Sequence, residues 1–585
     1  MNHFEIIETR VAQVRATLAT LELDAFIVPH DDEHLGEYIP AYAERLDWIT
    51  GFNGSAGLAI ILAQRAALFV DGRYTVQARM QAPAELFEFL HLNEDPHVQW
   101  LAEQLPSGAR VGFDPRLHSL AWYQSAKPIL AERGIALVRV EENPIDLHWS
   151  DRPAPTKTPV ILYSEELAGQ SSQAKRELLA SDLRKRGLDA VLLTQAEPIN
   201  WLLNLRGRDV ERLPVVLGFA VLYANTSMDF FVDTDKIDCI AFTRHVGQDV
   251  SVYPIDKLGD VLQRIGEDQQ KVLADPNTAN AWTQLTMEEA GAILVAGQDP
   301  TMLPKACKNA VELAGMQRAH LRDGVAVTRF LAWLDRLIAS GDYQDMDEGT
   351  LADRLEAFRR EQDHYVEPSF DTISALGPNA AMCHYRHTNG TPRPFGQDSI
   401  YLVDSGAQYL DGTTDITRVV AKGYNDSVDA EARYKMKQEI NNKRWEGSKN
   451  GYADLQPANN LRSNQFTADT PLFVKEYSDF YTTKRGFHPR AANSNPNGSW
   501  ADTAMLGMIN MPILQYAAEM RTPALVVHGE NAHSRYFSED AFKALGSKNK
   551  ELYIVPNATH VDLYDNQAGK IPFDKFEQFF KANLK

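Results

Sequence analysis

The sequence is poor in cysteine, has no long apolar run and has no excess of basic residues. Its three cysteines, Cys239, Cys307 and Cys383, show no CxxC spacing, which excludes a disulfide framework and a cysteine zinc site. Acidic residues outnumber basic ones by 79 to 59, giving a net charge of -20, which argues against nucleic-acid binding. Because no stretch approaches the roughly eighteen apolar residues of a transmembrane helix, we expect no membrane partner.

The opening stretch, residues 1–21, is amphipathic and charged, without the apolar core of a signal peptide. Together with the sparse cysteines, this favours a cytoplasmic location. Of the 585 residues, 44% are hydrophobic and 24% are charged, as in ordinary globular proteins. A chain of this length exceeds one hydrophobic core, so we expect three or four domains.

Helix-like and strand-like stretches alternate in the first half of the chain, which predicts an α/β fold. The second unit repeats the opening of the first, because a helix-like stretch and a Leu-Asp-Ala sequence begin both, at Leu23–Ala25 and at Leu188–Ala190. This self-similarity predicts two related α/β domains in tandem, over residues 1–155 and 156–305.

The remainder of the chain changes character near residue 424. A third domain, residues 306–423, begins with a long helix-like stretch. In residues 424–585, strand signals at 523–528 and 551–555 flank a helix-like stretch. Strands that alternate with helices in this way predict a parallel sheet.

Two carboxylates stand out in the segment YLVDSGAQYLDGTTDITRVVAKG, residues 401–423. Asp404 and Asp415 lie on apolar, β-branched runs joined by a turn around Asp411-Gly412, a strong hairpin signal. Carboxylates within such strands are costly to bury unless a cation neutralises them. The pattern therefore favours a divalent metal or a metal pair, and the alternative is two polar residues near a sheet edge.

Several long motifs in the first 420 residues stand in an order typical of one enzyme family: IVPHDDEHLGEY (27–38), ITGFNGSAG (49–57), FVDGRYTVQA (69–78), PINWLLNLRGRDV (198–210), KNAVELAGMQRAHLRDGVAV (308–327), EPSFDTISALGPNAAMCHY (367–385) and YLVDSGAQYLDGTTDITR (401–418). This region resembles aminopeptidase P, the Xaa-Pro aminopeptidase of the three-domain cytosolic type.

That resemblance implies two creatinase-like domains followed by a pita-bread domain of the α+β class. It also implies a site for two metal ions, usually Mn²⁺, the release of an N-terminal residue that precedes proline, and a homodimer through the N-terminal domains. Asp404 and Asp415 match two aspartate ligands of the family, and His384 matches a substrate-side histidine with a role in proton transfer.

The family's later metal ligands, one histidine and two glutamates, have no counterpart after Asp415. We therefore expect a pita-bread domain truncated near residue 423. One of the missing glutamates normally takes the proton of the attacking water, and losing such a base typically costs about 10²–10⁴-fold in rate. The expected activity is a severely weakened aminopeptidase.

The rest of the chain carries three other motifs: GYNDSVDAEARYKMKQE (423–439), RTPALVVHGENAHSRYFSEDAFKAL (521–545) and ELYIVPNATHVDLYD (551–565). They resemble the C-terminal half of a bacterial α/β-hydrolase of the dienelactone-hydrolase type. The resemblance implies that His560 is a triad histidine, with Glu530 or Asp540 as its acid. The chain has no GxSxG sequence for the nucleophile, so we expect a partial hydrolase sheet and a chimera joined near residues 417–424.

Three functions are open at this point. The first is a metal-dependent aminopeptidase that acts on peptides with proline in second position. The second is a non-catalytic chimeric scaffold that dimerises. The third is an esterase of the α/β-hydrolase type, which the missing serine motif disfavours.

Overall fold

A computed structural model describes residues 2–396, 400–420, 463–488 and 517–583, together with positions 439–440, 442, 456–457, 499–500 and 514. The chain divides into an N-terminal unit, residues 1–397 and 402–418, and a C-terminal unit, residues 398–401 and 419–585. Residues 423–438 of the first hydrolase-like motif lie outside the described residues. Within the part that is described, no helix is long and apolar enough to cross a membrane.

The chain opens with a six-stranded sheet in the order β4-β3-β2-β1-β5-β6. Every residue of β1 and β3 is buried, because helices cover both faces of the sheet. The strands are β1 (Ala25–Pro29), β2 (Gly57–Leu62), β3 (Ala66–Val70), β4 (Glu88–His91), β5 (Arg110–Phe113) and β6 (Ala136–Arg139), and the helices are α1 (His3–Thr20), α2 (Arg45–Thr50), α3 (Thr75–Gln81), α4 (His97–Gln104) and α5 (Leu120–Glu132).

A second six-stranded sheet follows, in the order β12-β11-β10-β8-β13-β14. Its strands are β8 (Ala190–Leu193), β10 (Phe219–Tyr223), β11 (Met228–Phe231), β12 (Val250–Tyr253), β13 (Lys271–Ala274) and β14 (Ile293–Ala296), and β7 (Ile161–Leu162) pairs separately with β9 (Leu205–Arg206). The helices are α6 (Glu165–Ala168), α7 (Ser172–Arg186), α8 (Ala196–Leu203), α9 (Cys239–Val246), α10 (Leu258–Glu267), α11 (Ala281–Glu289) and α12 (Met302–Ala306).

The two sheets have the same topology, so the predicted tandem repeat is confirmed. In each, the first strand pairs antiparallel with the second and parallel with the fifth. The repeated Leu-Asp-Ala sequence has the same structural role in both domains. The carboxylate of Asp24 accepts the backbone N–H of Arg110, and that of Asp189 accepts the backbone N–H of Lys271, each at 2.8 Å. The aspartate thus ties the first strand to the start of its parallel neighbour.

Two long helices and two small sheets follow. Helix α13 (Ala310–Ser340) and helix α14 (Glu348–Arg360) begin at the capping residues Asn309 and Asp347. The sheets have the orders β15-β18-β19 and β16-β17-β20. Their strands are β15 (Tyr365–Pro368), β16 (Ile373–Leu376), β17 (Tyr401–Ser405), β18 (Ala407–Tyr409), β19 (Gly412–Thr413) and β20 (Ile416–Val420).

The predicted hairpin is present, but its strands are divided between these two sheets. Gly406 alone separates β17 from β18. A Cβ atom at this position would lie 2.0 Å from the Thr414 carbonyl oxygen, so only glycine allows the chain to pass from one sheet to the other here. The turn consists of Leu410 and Asp411, one residue earlier than predicted, because Gly412 already pairs with Tyr409.

The C-terminal unit contains the predicted strand–helix–strand segment. Strands β23 (Ala524–Gly529) and β24 (Lys550–Val555) pair in parallel and are connected through helix α16 (Arg535–Ala544). The other described elements are helix α15 (Leu472–Thr482), helix α17 (Phe573–Asn583) and the short pair β21 (Gln456–Pro457) and β22 (Ser499–Trp500).

Candidate functional site

Asp404 lies in one strand of a small sheet and Asp415 lies directly before the neighbouring strand, although eleven positions separate them in the sequence. Asp404 is half-buried in β17, and Asp415 directly precedes β20 and is exposed. The hydroxyl of Thr417 donates to Asp404 Oδ1 at 2.7 Å. After Asp404 the chain runs through the antiparallel strands β18 and β19 and then turns back. Asp415 is thereby brought next to the strand that carries Asp404.

Asp415 titrates abnormally because of its surroundings. Partial burial, the neighbouring charge of Asp404 and a hydrogen bond between the two carboxyl groups raise the pKa of Asp415 above its usual range. Two carboxylates in such proximity resist simultaneous ionisation. A bound cation would remove this repulsion, so the pair is suited to one.

The donor atoms fit a divalent ion, but the described ones do not complete a metal site. Carboxylate oxygens are the ligands that Mg²⁺, Ca²⁺ and Mn²⁺ prefer. No group of three or more His, Cys, Asp or Glu side chains in the described part of the chain could hold an ion. Asp404 and Asp415 are thus a two-carboxylate partial site.

A buried ion pair anchors the chain between these two carboxylates. Asp323 of α13 and Arg359 of α14 form two parallel hydrogen bonds of 2.7 and 3.0 Å, with side-chain exposures of 0% and 2%. Asp323 also accepts the hydroxyl of Tyr409 at 3.1 Å and that of Thr414 at 2.8 Å. Because Thr414 precedes Asp415, Asp323 fixes the backbone from which that side chain extends.

His384 is half-buried in the connection between β16 and β17. The hydroxyl of Tyr74, from the first domain, lies 2.7 Å from its Nδ1. Burial and the charge of Arg73 lower the pKa of His384, and Glu37 and Asp71 act in the opposite direction. A lowered pKa leaves a neutral imidazole at pH 7, which can both accept and donate a proton.

Glu348 organises the connection that contains His384. Its buried carboxylate accepts four hydrogen bonds of 2.6 to 2.9 Å, from the Leu376 and Arg393 amides, the Asn379 side chain and the Tyr385 hydroxyl. These donors lie on both sides of His384 in the sequence. One carboxylate on α14 therefore closes the connection at both ends.

The structure brings the two aspartates close together and places His384 in contact with Tyr74 of the first domain. The principal charges that act on His384 are those of Arg73, Glu37, Asp71 and Arg386, whereas Asp404 acts on Asp415. The roles of Asp404, Asp415 and His384 as ligands and proton-transfer group stay predictions.

In the C-terminal unit, His560 follows β24 and precedes a short 3-10 turn, Val561–Leu563. Its Nδ1 lies 2.6 Å from the Ser534 hydroxyl oxygen. The candidate acids have other partners: Glu530 accepts the Asn557 amide at 2.8 Å, and Asp540 pairs with Lys543 at 3.3 Å. The structure thus places Ser534, and neither acid, beside His560.

A second histidine, His528, also contacts Ser534. His528 Nε2 lies 3.1 Å from the Ser534 hydroxyl, and His528 Nδ1 lies 2.8 Å from that of Ser538. Burial and the charges of His528 and His533 lower the pKa of His560. The lining of a cavity of about 280 Å³ includes Thr559 and Val561, the sequence neighbours of His560, together with charged residues of helix α15 and Asp562.

The fold and the carboxylate pair define a class of protein, and family comparisons agree with it. Residues 10–145 and residues 151–312 each match the family described as "Creatinase/Prolidase N-terminal domain". Residues 314–476 match "Metallopeptidase family M24". The first and second sheets thus correspond to creatinase-type domains, and the peptidase match extends past residue 423.

Individual relatives specify the class further. The chain is 37% identical over 435 residues to a "Probable Xaa-Pro aminopeptidase P" of Aspergillus flavus, covering 72% of this chain and 66% of the relative. It is 36% identical to "Xaa-Pro aminopeptidase ApepP" of Drosophila melanogaster, covering 70% of this chain and 67% of that protein. The protein belongs to the Xaa-Pro aminopeptidase P family.

A solved structure supports this assignment. The X-prolyl aminopeptidase of Caenorhabditis elegans, described as "a cytosolic enzyme with a di-nuclear active site", shares 30% identity, covers 71% of this chain and 69% of its own, and gives a TM-score of 0.66. The predicted resemblance to aminopeptidase P is therefore confirmed. The chain spans about two thirds (66%) of the length of the first curated relative.

The sequence reasoning missed four positioning residues: Tyr74, Asp323, Glu348 and Arg359. Asp323 could have been found, because it lies on a helix face that buries Ala319, Ala326 and Phe330. An aspartate on such a face requires a buried partner. The sequence offers no comparable signal for Glu348, whose partners are mainly backbone amides and polar groups of a loop.

Proposed function

We propose that this protein is a metal-dependent aminopeptidase that releases an N-terminal residue preceding proline, with peptides carrying proline in second position as substrates. The membership of the Xaa-Pro aminopeptidase P family and the adjacent carboxylates of Asp404 and Asp415 support it. A cytoplasmic location and a homodimer through the N-terminal domains belong to the same proposal.

Asp404 and Asp415 would hold the metal, with Mn²⁺ as the proposed ion. When bound there, a divalent metal would supply a hydroxide nucleophile at neutral pH and would polarise the scissile carbonyl. His384 has Nδ1 bonded to Tyr74, which leaves Nε2 for exchange of a proton with the substrate. Because the family's later histidine and glutamate ligands have no counterpart in the sequence after Asp415, we propose weak metal binding and a low turnover rate.

Replacing Asp415 with asparagine is expected to weaken Mn²⁺ binding by about tenfold or more, since it removes one of two carboxylates. Bound Mn²⁺ is measured by calorimetry and elemental analysis, and cleavage is measured with an Xaa-Pro peptide. Asp235→Asn, at an exposed aspartate of the second domain, is the matched control and leaves both unchanged. Equal Mn²⁺ affinity in Asp415→Asn and wild type would sink the assignment of the metal site.

A second candidate function, ester hydrolysis in the C-terminal unit, is favoured by one observation, the 2.6 Å contact between Ser534 and His560. Ser534 Oγ would attack the ester carbonyl while His560 Nδ1 takes its proton and then returns it to the leaving alkoxide. Water would release the acyl group by the reverse proton transfers. In this proposal the C-terminal unit is the last part of an α/β-hydrolase sheet. Ser534 takes the role of the nucleophilic serine that a GxSxG motif would otherwise provide.

A fluorophosphonate probe is expected to modify Ser534, and His560→Ala is expected to slow this labelling by about 10²-fold or more, because it removes the base. Peptide mass spectrometry locates the label, and p-nitrophenyl acetate reports turnover. Ser547→Ala, at a buried serine bonded to the Asn549 carbonyl, controls for loss of a hydroxyl. An unlabelled Ser534 eliminates the esterase. If Mn²⁺ and peptide cleavage are also absent, the result favours the non-catalytic chimeric scaffold.

A further inference from the structure

The contact between Tyr74 and His384 joins residues 310 positions apart in the sequence. Tyr74 belongs to the first domain, directly before α3, and His384 belongs to the connection before β17. Their rings meet edge to face, with centroids 5.5 Å apart. A first-domain hydroxyl thus occupies one of the two nitrogens of the proposed proton-transfer histidine.

Tyr74 is held rigidly. Its side chain is 3% exposed, and Phe52 packs edge to face against it with a centroid separation of 5.4 Å. Gly54 allows this packing, because a Cβ atom there would lie 2.2 Å from the Phe52 ring and 2.9 Å from the Tyr74 ring. The guanidinium of Arg73, bound to Asp71, lies 5.2 Å from the centre of the Tyr74 ring. The position of the hydroxyl is therefore set by the first domain.

The hydrogen bonds of Tyr74 favour donation towards His384. Its oxygen accepts the backbone amide of Ser55 at 3.2 Å and lies 2.8 Å from the Ser55 hydroxyl. The single phenolic proton can go to Ser55 or to His384 Nδ1. A phenol is a stronger donor than an aliphatic hydroxyl, and an imidazole nitrogen is a stronger acceptor than a hydroxyl oxygen. The favoured arrangement pairs the stronger donor with the stronger acceptor.

We propose that Tyr74 is a positioning residue that holds His384 in the tautomer with its proton on Nε2. This inference rests on the proposed aminopeptidase function for its catalytic consequence, although the tautomer itself does not depend on turnover. With Nδ1 occupied, the other nitrogen presents an N–H group, and His384 acts first as a hydrogen-bond donor to the substrate. The first domain thereby takes part in the chemistry of the third.

The groups around His384 are consistent with this role. Arg73 and Arg386 disfavour a positive charge on the imidazole, whereas Glu37 and Asp71 favour one. Burial has the largest effect and lowers the pKa of His384. The neutral ring carries its proton on only one of the two nitrogens. A hydrogen-bond donor to the nitrogen without the proton stabilises this neutral form.

Tyr74→Phe is expected to give a mixture of His384 tautomers and to raise the His384 protonation constant by roughly three- to tenfold, because the donor to the neutral ring is lost. The measurement is nitrogen-15 NMR of the full chain with labelled histidine, with His384→Gln to assign the signals. Where proline-specific cleavage is present, kcat is expected to fall by about tenfold with KM unchanged.

Tyr223→Phe is the matched control, because it removes a half-buried tyrosine hydroxyl that donates to Asp229 in the second domain. It should leave the His384 signals unchanged. A wild-type His384 with its proton on Nδ1, or a tautomer unaffected by Tyr74→Phe, overturns the inference. Absence of peptide cleavage with the expected NMR result refutes the aminopeptidase proposal and leaves the role of Tyr74 in place.

Discussion

Asp323→Ala is expected to lower the free energy of unfolding of the N-terminal unit by about 3–5 kcal/mol, since it leaves a buried guanidinium without its counter-charge. Arg359, at 2% side-chain exposure, would keep the cost of desolvation and lose both hydrogen bonds to the carboxylate. The hydroxyls of Tyr409 and Thr414 would lose their acceptor in the same step. Few surface substitutions in this protein could match that effect.

The double variant Asp323→Ala/Arg359→Leu tests this explanation. It removes the unpaired charge, so it should regain part of the lost stability. Arg360→Ala is the matched control on helix α14, because Arg360 forms a surface pair with Glu356 and its loss should leave stability nearly unchanged. Urea unfolding measures the loss of stability, and hydrogen exchange then tests whether residues 401–420 are affected. A loss below about 1 kcal/mol in Asp323→Ala would show that the ion pair contributes little.

The second large effect is expected at Glu348. Glu348→Ala should destabilise the N-terminal unit by about 3–5 kcal/mol, because four donors that meet its carboxylate lose their acceptor at once. Two of those donors are the backbone amides of Leu376 and Arg393, which border the connection that contains His384. We expect this connection to become disordered before the rest of the unit unfolds.

Hydrogen exchange over residues 376–393 measures this local opening, and the His384 NMR signals give its consequence for the site. Glu348→Gln keeps an acceptor of nearly the same shape and should recover part of the protection. Glu361→Ala, at an exposed glutamate paired with Arg329, is the control and should leave exchange in this segment unchanged. Equal hydrogen exchange over residues 376–393 in wild type and Glu348→Ala would contradict the role assigned to Glu348.

Prediction from sequence succeeded where a motif recurs along the chain or where a structure depends on adjacent residues. The repeated Leu-Asp-Ala sequence predicted tandem domains, and Asp24 and Asp189 proved to make the same contact with a parallel strand. The Asp-Gly signal located the hairpin within one residue, since a turn depends on a few adjacent residues. By contrast, the assignment of Glu530 or Asp540 as partner of His560 required knowledge of which loops meet, and the structure places Ser534 there.

The sequence by itself determined the family, the two creatinase-type domains and the pair of aspartates, because these depend on motifs and short-range periodicity. Tertiary structure alone decided that Asp323 binds the segment between the two aspartates, that Glu348 closes the loop around His384, and that Tyr74 reaches this histidine from another domain. Such contacts join residues far apart in the chain. Packing brings them together, and the need of each buried polar group for a partner makes them specific.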